Sequence, residues 1–255
     1  MCWPPGSGVV DERDLADLPS PVAQYLRSVG VLGRPIPEQV GIVQQGRIRL
    51  SPSGRWRRIT AEQTFFSDPP GFIWSARASV VPLVRLAVTD RYRDGTGSLE
   101  VRAFGAIPIS TGSGPDLDTG GPLRLLSELL WKPEAFLAPY VSWAPIDSRT
   151  TRATISDRGL EEHAQFRFGN HGPLCRITAV RHKDAGTKSS ALRRWVATGS
   201  DYRSGAGGFW CRAGPRPCGS WIPAHSGTWR PTSRRSPSRV ARSPSAHRSP
   251  AGDRR

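Results

Sequence analysis

The stretch PLRLLSELLWKPEAFLAP, residues 122–139, decides the fold, because it is the one long helix-period segment in an otherwise strand-like chain. Leu123, Leu126 and Leu130 fall at i, i+3 and i+7, and Leu125 and Leu129 widen the stripe, so one broad apolar face requires burial. Strands must supply the cover. Glu128 sits between Leu126 and Leu130, and Trp131 ends the run, which puts a carboxylate and an indole beside the expected core. The spacing predicts a helix over 122–131, entered through a loop over 111–121, TGSGPDLDTGG.

Upstream, Ser20 followed by Pro21 reads as an N-cap with proline at the first helical position, and Val22, Leu26 and Val29 repeat on one face until Gly30. From Val40 the period becomes 2: Val40, Ile42, Ile48 and Leu50 alternate with polar residues and glycine. Strands are predicted over 56–66 and 72–79, separated by Ser67-Asp68-Pro69-Pro70-Gly71. Val84, Leu86 and Val88 continue the alternation, and Asp94-Gly95 turns the chain into Leu99, Val101 and Ala103. After the helix, three more strands are predicted over 151–156, 160–168 and 174–180. Short strands with a helix among them lack the βαβ rhythm of a parallel sheet. The expected fold is therefore α+β and mainly antiparallel, a curved half-barrel-like sheet wrapped over one or two helices. The expected organisation is a flexible leader over 1–19, a single β-rich domain over 20–203, and a disordered Arg/Ser/Pro-rich tail over 204–255.

The 36 Lys+Arg against 21 Asp+Glu give +15, a balance that ordinarily points to nucleic acid or an anionic membrane. Its distribution weakens that inference. Residues 204–255 hold ten Arg, no Lys and one acid, or +9, which leaves 26 − 20 = +6 for the body. A nucleic-acid partner is therefore expected only if the basic tail is genuine. The four cysteines, Cys2, Cys175, Cys211 and Cys218, have neither zinc-ligand spacing nor a CxxC pair. The N-terminus lacks a basic segment followed by an apolar run of secretory length, and no segment approaches the ~18 apolar residues of a membrane span. As written, the chain is expected to be cytoplasmic; a start codon placed too far downstream would make it membrane-associated or exported.

No metal or cofactor motif is recognised. Gly95-Thr96-Gly97 lacks the third glycine and following helix of a dinucleotide fingerprint, and Gly112-Ser113-Gly114 lacks the setting of a nucleophile elbow. His163 and His171 have no third ligand at metal spacing. Asp90 and Glu128 are the weak candidates for acid–base work, since each interrupts a packed-looking segment and burial would raise a carboxyl pKa. A hydrogen-bonded structural anchor is the simpler account of both. The aromatic load, including Trp56, Trp74, Trp131 and Trp143, fills a core but also suits a concave sheet that holds an apolar or lipid-like ligand. Non-enzymatic binding of such a ligand by Trp74, Trp131 and Trp143, with Glu128 as polar anchor, is the expected function. A hydrolase or isomerase using Asp90 and Glu128 is the alternative, and RNA binding through the tail is the third.

The body resembles an uncharacterised bacterial domain-of-unknown-function family. The residues that carry the likeness are Leu18-Pro19-Ser20-Pro21-Val22 with Tyr25-Leu26, Trp56, Ala61-Glu62-Gln63-Thr64-Phe65 and Phe72-Ile73-Trp74. Asp90-Arg91-Tyr92 with Gly95 and Gly97, Glu128 with Trp131, Pro133 and Ala135, and Trp143 with Ile146-Asp147 complete it. The likeness spans about residues 15–203 and implies no assigned activity. The element order is also similar to LolA-like lipoprotein carriers, whose unclosed β-barrel wraps helices and holds acyl chains; that likeness is one of fold.

The family pattern expects a valine-rich strand after Asp201-Tyr202-Arg203, whereas this chain continues in Arg, Pro, Ser, Gly and Trp without periodicity. An out-of-frame translation accounts for the change. Joining the last base of each codon to the first two of the next, Phe209–Trp210 forces Leu, Trp210–Cys211 forces Val and Cys211–Arg212 permits Pro, which restores the missing L-V-P. Resequencing the gene is expected to show one nucleotide lost near codon 203. An intact frame through codon 255, with an Arg/Ser tail shared by close relatives, would refute the idea.

Overall fold

The computed structural model describes residues 8–48, 54–81, 84–170, 172–185, 187–205, 208–214 and 229–231. A first helix, α1 (Ser20–Ser28), buries Val22, Tyr25 and Leu26, with Pro19 rather than Ser20 in the capping position. Six strands follow, each antiparallel to the one before: β1 (Gln39–Ile48), β2 (Arg57–Ser67), β3 (Pro70–Val81), β4 (Val84–Arg93), β5 (Thr96–Ala103) and β6 (Ile107–Ser113). The chain then enters α2 (Pro115–Glu128), continues through 3-10 turns at Leu129–Trp131 and Pro133–Leu137, and starts a second sheet. That sheet comprises β7 (Val141–Asp147), β8 (Thr150–Asp157), β9 (Leu160–Phe168), β10 (Leu174–Lys183), β11 (Ala191–Gly205) and β12 (Gly208–Gly214). A short β13 (Trp229–Pro231) pairs with β1 at the margin of the first sheet.

The fold is α+β and mainly antiparallel, as the alternation predicts. The strands divide between a seven-stranded and a six-stranded sheet, which are not closed into a barrel and between which α2 packs. The expected single curved sheet is thus two sheets. The strands over 107–113, 141–147 and 191–205 escape the periodicity because they are edge-like or polar: β6 is exposed along nearly its whole length, and β7 shows a single buried residue, Val141. Leu50, His171 and most of the tail lie outside the described residues. Where the tail is described, the backbone does not leave the fold at 203, because β11 runs to Gly205 and β12 extends the same sheet.

The helix starts seven residues before the expected position. Gly114 adopts a φ of 109°, Pro115 opens the first turn, and Asp116 and Asp118 sit where the helix N-terminus favours negative charge. Of the Gly120-Gly121 pair, which reads as loop by propensity, Gly121 is required by packing. A Cβ on Gly121 would lie 2.2 Å from Cδ2 of Tyr92, and one on Gly97 of β5 would lie 2.2 Å from the carbonyl oxygen of Leu117. Helix and sheet therefore meet with backbone nearly in contact at Gly97.

The inner face of the first sheet falls into cross-strand rows. One runs Ile42, Gln63, Trp74, Asp90, Leu99, and the next Gln44, Ala61, Ala76, Val88, Val101. Across the sandwich, Tyr25, Phe136, Trp143 and Phe166 form an aromatic cluster, with the Tyr25 and Phe136 rings 5.2 Å apart and those of Trp143 and Phe166 5.1 Å apart near a right angle.

The close approach at Gly97 makes a direct prediction. Gly97→Ala is expected to lower stability by about 2–3 kcal/mol or more through overpacking against backbone that has little room to yield. Gly41→Ala, with nothing within 4 Å of the new Cβ, is expected to be neutral or stabilising by roughly 0.5 kcal/mol. Urea denaturation midpoints of the two variants, compared at equal slope, check the contrast.

Candidate functional site

The helix lies across the strands, and each of its turns meets a new one. Leu117 faces Gly97 on β5, Gly121 faces Tyr92 on β4, the Arg124 guanidinium lies over Phe72 and Trp74 on β3, and Glu128 reaches Gln63 on β2. A helical turn rises about 5.4 Å and strands repeat about every 4.8 Å, so the i, i+4, i+7, i+11 face stays in step with the sheet. That geometry places a polar chain on the inner face.

Trp74 Nε1 donates to Gln44 Oε1 at 2.8 Å, Gln44 Nε2 donates to Gln63 Oε1 at 3.1 Å, and Gln63 Nε2 donates to Glu128 Oε2 at 2.6 Å. Arg124 Nε donates to Glu128 Oε1 at 3.0 Å, and its other arm is ion-paired with Asp90. The Arg124 side chain is 7% exposed, Asp90 13% and Glu128 17%, so the acids retain a little solvent where the arginine has almost none. Burial works against the charge on Arg124 and is the largest effect. Glu128 and Asp90 together outweigh it and hold the guanidinium above its usual pKa.

A second arginine approaches from the opposite sheet. Arg181 of β10 stands close enough to feel Arg124, Asp90 and Glu128; burial, and then Arg124, push its pKa down against the pull of the two acids. Its guanidinium carbon lies 5.9 Å from the Trp195 ring centre, and its Nε is buried without a hydrogen-bond partner among the described residues. Sequence reading missed Arg181. It sits in a basic run, Arg181-His182-Lys183, that looks solvated, and only the β10 register turns it inward.

The structure thus joins Asp90 and Glu128 through one guanidinium and ties Trp74 into the same chain. Trp143 lies elsewhere, in the aromatic cluster, with Nε1 donating to the Phe136 carbonyl at 2.9 Å. Trp131 is buried in the 3-10 turn beyond α2, and its Nε1 has no hydrogen-bond partner among the described residues. Gln44 and Arg124 were not singled out in the sequence, and Gln63 stood out only as part of the family resemblance, without a role at the site. The two glutamines were legible as buried only from the alternation, since they occupy inward positions on β1 and β2. Among the described residues no three His, Cys, Asp or Glu side chains gather in a metal-like group, and no helix is long and apolar enough to cross a membrane.

Removing one member of a buried charge cluster leaves the others uncompensated. Arg124→Met is expected to destabilise the fold by about 3–5 kcal/mol. The quadruple variant Arg124→Met, Asp90→Asn, Glu128→Gln, Arg181→Met is expected to recover most of that loss, because it removes the charges together. Chemical denaturation of both variants measures the difference.

Searches of curated proteins and of solved structures find no match to the chain, so neither supports the fold likeness to LolA-like carriers. A family model does match, over residues 8–211, and its description is a family of unknown function, DUF6544. The match takes in both helices, β1 to β11 and every residue of the polar chain, and the chain belongs to that family.

Proposed function

We propose that the inner face of the first sheet, next to the polar chain, binds a single-chain amphiphile, with its acidic head on Arg181 and its apolar body along that sheet. The observation that carries this reading is the buried Arg181 Nε–H, which lacks an acceptor among the described residues beside a cluster whose other guanidinium is already paired. An unmet buried donor costs about 1–3 kcal/mol, and a carboxylate or similar acceptor removes that cost. The inner face beyond α2 suits the body of such a ligand. Ala78, Leu86, Val88 and Val101 lie there in successive rows, small or aliphatic, and all remain partly exposed. Trp195 and Ala197 of β11, partly buried, provide apolar surface on the opposite sheet.

In this reading Trp74 and Glu128 shape the polar floor through the glutamine relay. Trp131 and Trp143 support the core behind it. The site binds and does not itself react, since both oxygens of Glu128 already accept hydrogen bonds and Asp90 is ion-paired with Arg124. An acid–base reading rests on a different observation, the convergence of both carboxylates on one guanidinium, and asks that one of them be released when substrate arrives. RNA binding through the tail concerns residues that lie mostly outside those described.

Native mass spectrometry of the purified chain, followed by displacement of a fluorescent fatty acid, tests the binding reading. Saturable binding of a long-chain carboxylate is expected, weakened about tenfold or more in Arg181→Met, as for loss of one charge-assisted hydrogen bond. No saturable binding by the wild type, or equal affinity in the variant, overturns it. Turnover of a substrate that stops in Asp90→Asn would favour the acid–base reading instead.

A further inference from the structure

A second polar cluster lies four residues along β2 from Gln63, with Phe65 between them. Ser67 closes that strand: its N–H donates to the carbonyl of Glu38 at 2.9 Å, and its hydroxyl donates to the carbonyl of Pro37 at 2.5 Å. The Lys132 ammonium, from the chain between the two 3-10 turns after α2, donates to the same Ser67 Oγ. Lys132 is 1% exposed. A lysine this deeply buried is unusual, and one in contact with a serine hydroxyl has the arrangement of a base beside a nucleophile.

Ser67 is not sealed in. It lines a cavity of about 250 Å³ together with Asp68, Pro70, Tyr140, Ser156 and Asp157. Pro139, on the same cavity, and Ser156 are exposed, so small molecules in solution can reach it. Asp157 accepts a hydrogen bond from the Tyr92 hydroxyl at 2.6 Å, which fixes one wall, and Asp68 adds a second carboxylate.

We propose that Ser67 and Lys132 form a nucleophile–base pair that hydrolyses small neutral or cationic carboxylic esters in this cavity. Burial lowers the Lys132 pKa to about 8, only partly opposed by Glu134, so an appreciable fraction of the amine is neutral near physiological pH. In that form the Ser67 proton turns from the Pro37 carbonyl to Lys132 Nζ. Ser67 Oγ attacks the ester carbonyl carbon as the proton passes to Lys132. The tetrahedral intermediate collapses, the bond to the alcohol oxygen breaks, and Lys132 returns the proton to the departing alcohol. Water then attacks the acyl-serine, gives one proton to Lys132 and releases the acid, and Lys132 restores the proton to Ser67. The sum is ester plus water to acid plus alcohol, with no other reactant. Asp68 and Asp157 disfavour anionic esters and repel the carboxylate product, and the cavity volume restricts the substrate to a small acyl group.

The test is to treat the folded full chain with an uncharged fluorophosphonate and map the adduct by peptide mass spectrometry. The adduct is expected on Ser67, to form faster as pH rises through about 8, and to be absent from urea-unfolded protein. Lys132→Met is expected to slow labelling by about 100-fold or more, and Ser67→Ala to abolish it. Should either variant fail to fold, the adduct position and pH profile of the wild type still decide. A folded wild type with no adduct on Ser67, or a rate flat from about pH 6 to 9, overturns the proposal.

Discussion

A buried positive charge organises the first half of this molecule. Arg124 sits on the helix that separates the two sheets, and almost none of it reaches water. Such a charge is tolerated only if partners meet it with good geometry, and here Glu128 lies one turn along the helix while Asp90 comes from β4. The guanidinium also lies over Phe72 and Trp74, 4.7 and 4.9 Å from their ring centres, so the faces of two aromatics complete its surroundings. The helix cannot rotate about its axis without breaking these contacts together. One side chain thus sets which face of α2 meets the sheet.

Glycine sets how close that approach is. Gly97 and Gly121 remove the two side chains that would hold helix and sheet apart, and the backbone of Leu117 and the ring of Tyr92 occupy the space. The Asp118 carboxylate accepts from the Gly97 N–H at 2.7 Å, so the β5 backbone is tied to the first turn of the helix. With that end fixed, the pitch of the helix and the spacing of the strands bring Arg124 over β3 and Glu128 over β2. The polar chain through Gln63 and Gln44 to Trp74 then satisfies groups that would otherwise be buried without partners. Specificity of docking, rather than net stabilisation, is what such a chain contributes, because desolvation offsets much of its electrostatic gain.

The two candidate sites differ in kind because their surroundings differ. Around Asp90 and Glu128 every acid already has a basic or amide partner, and Arg181 Nε is the buried donor there without an acceptor among the described residues. Around Ser67, burial acts on a lysine whose contact is a neutral hydroxyl, with Glu134 giving the opposing attraction, and its proton is therefore held loosely. The first environment suits recognition of a fixed acceptor. The second suits transfer of a proton.

The sequence by itself determined the class of fold, the central helix from its leucines, and most strands of the first sheet, because alternation and helical periodicity report which faces must be dry. It also brought out Asp90 and Glu128 as acids in apolar settings. It did not show that the helix begins at Pro115, because Gly120 and Gly121 lower local helix propensity while the contact with Tyr92 demands the second of them. Nor did it show β6 and β7, whose exposed residues carry little hydrophobic signal. The pairing of Arg124 with Asp90, the inward turn of Arg181, and the meeting of Ser67 with Lys132 were decided by tertiary structure alone. The two pairings join residues 34 and 65 positions apart through strand register and helix orientation, and no local pattern in a chain encodes which distant partner a side chain will meet.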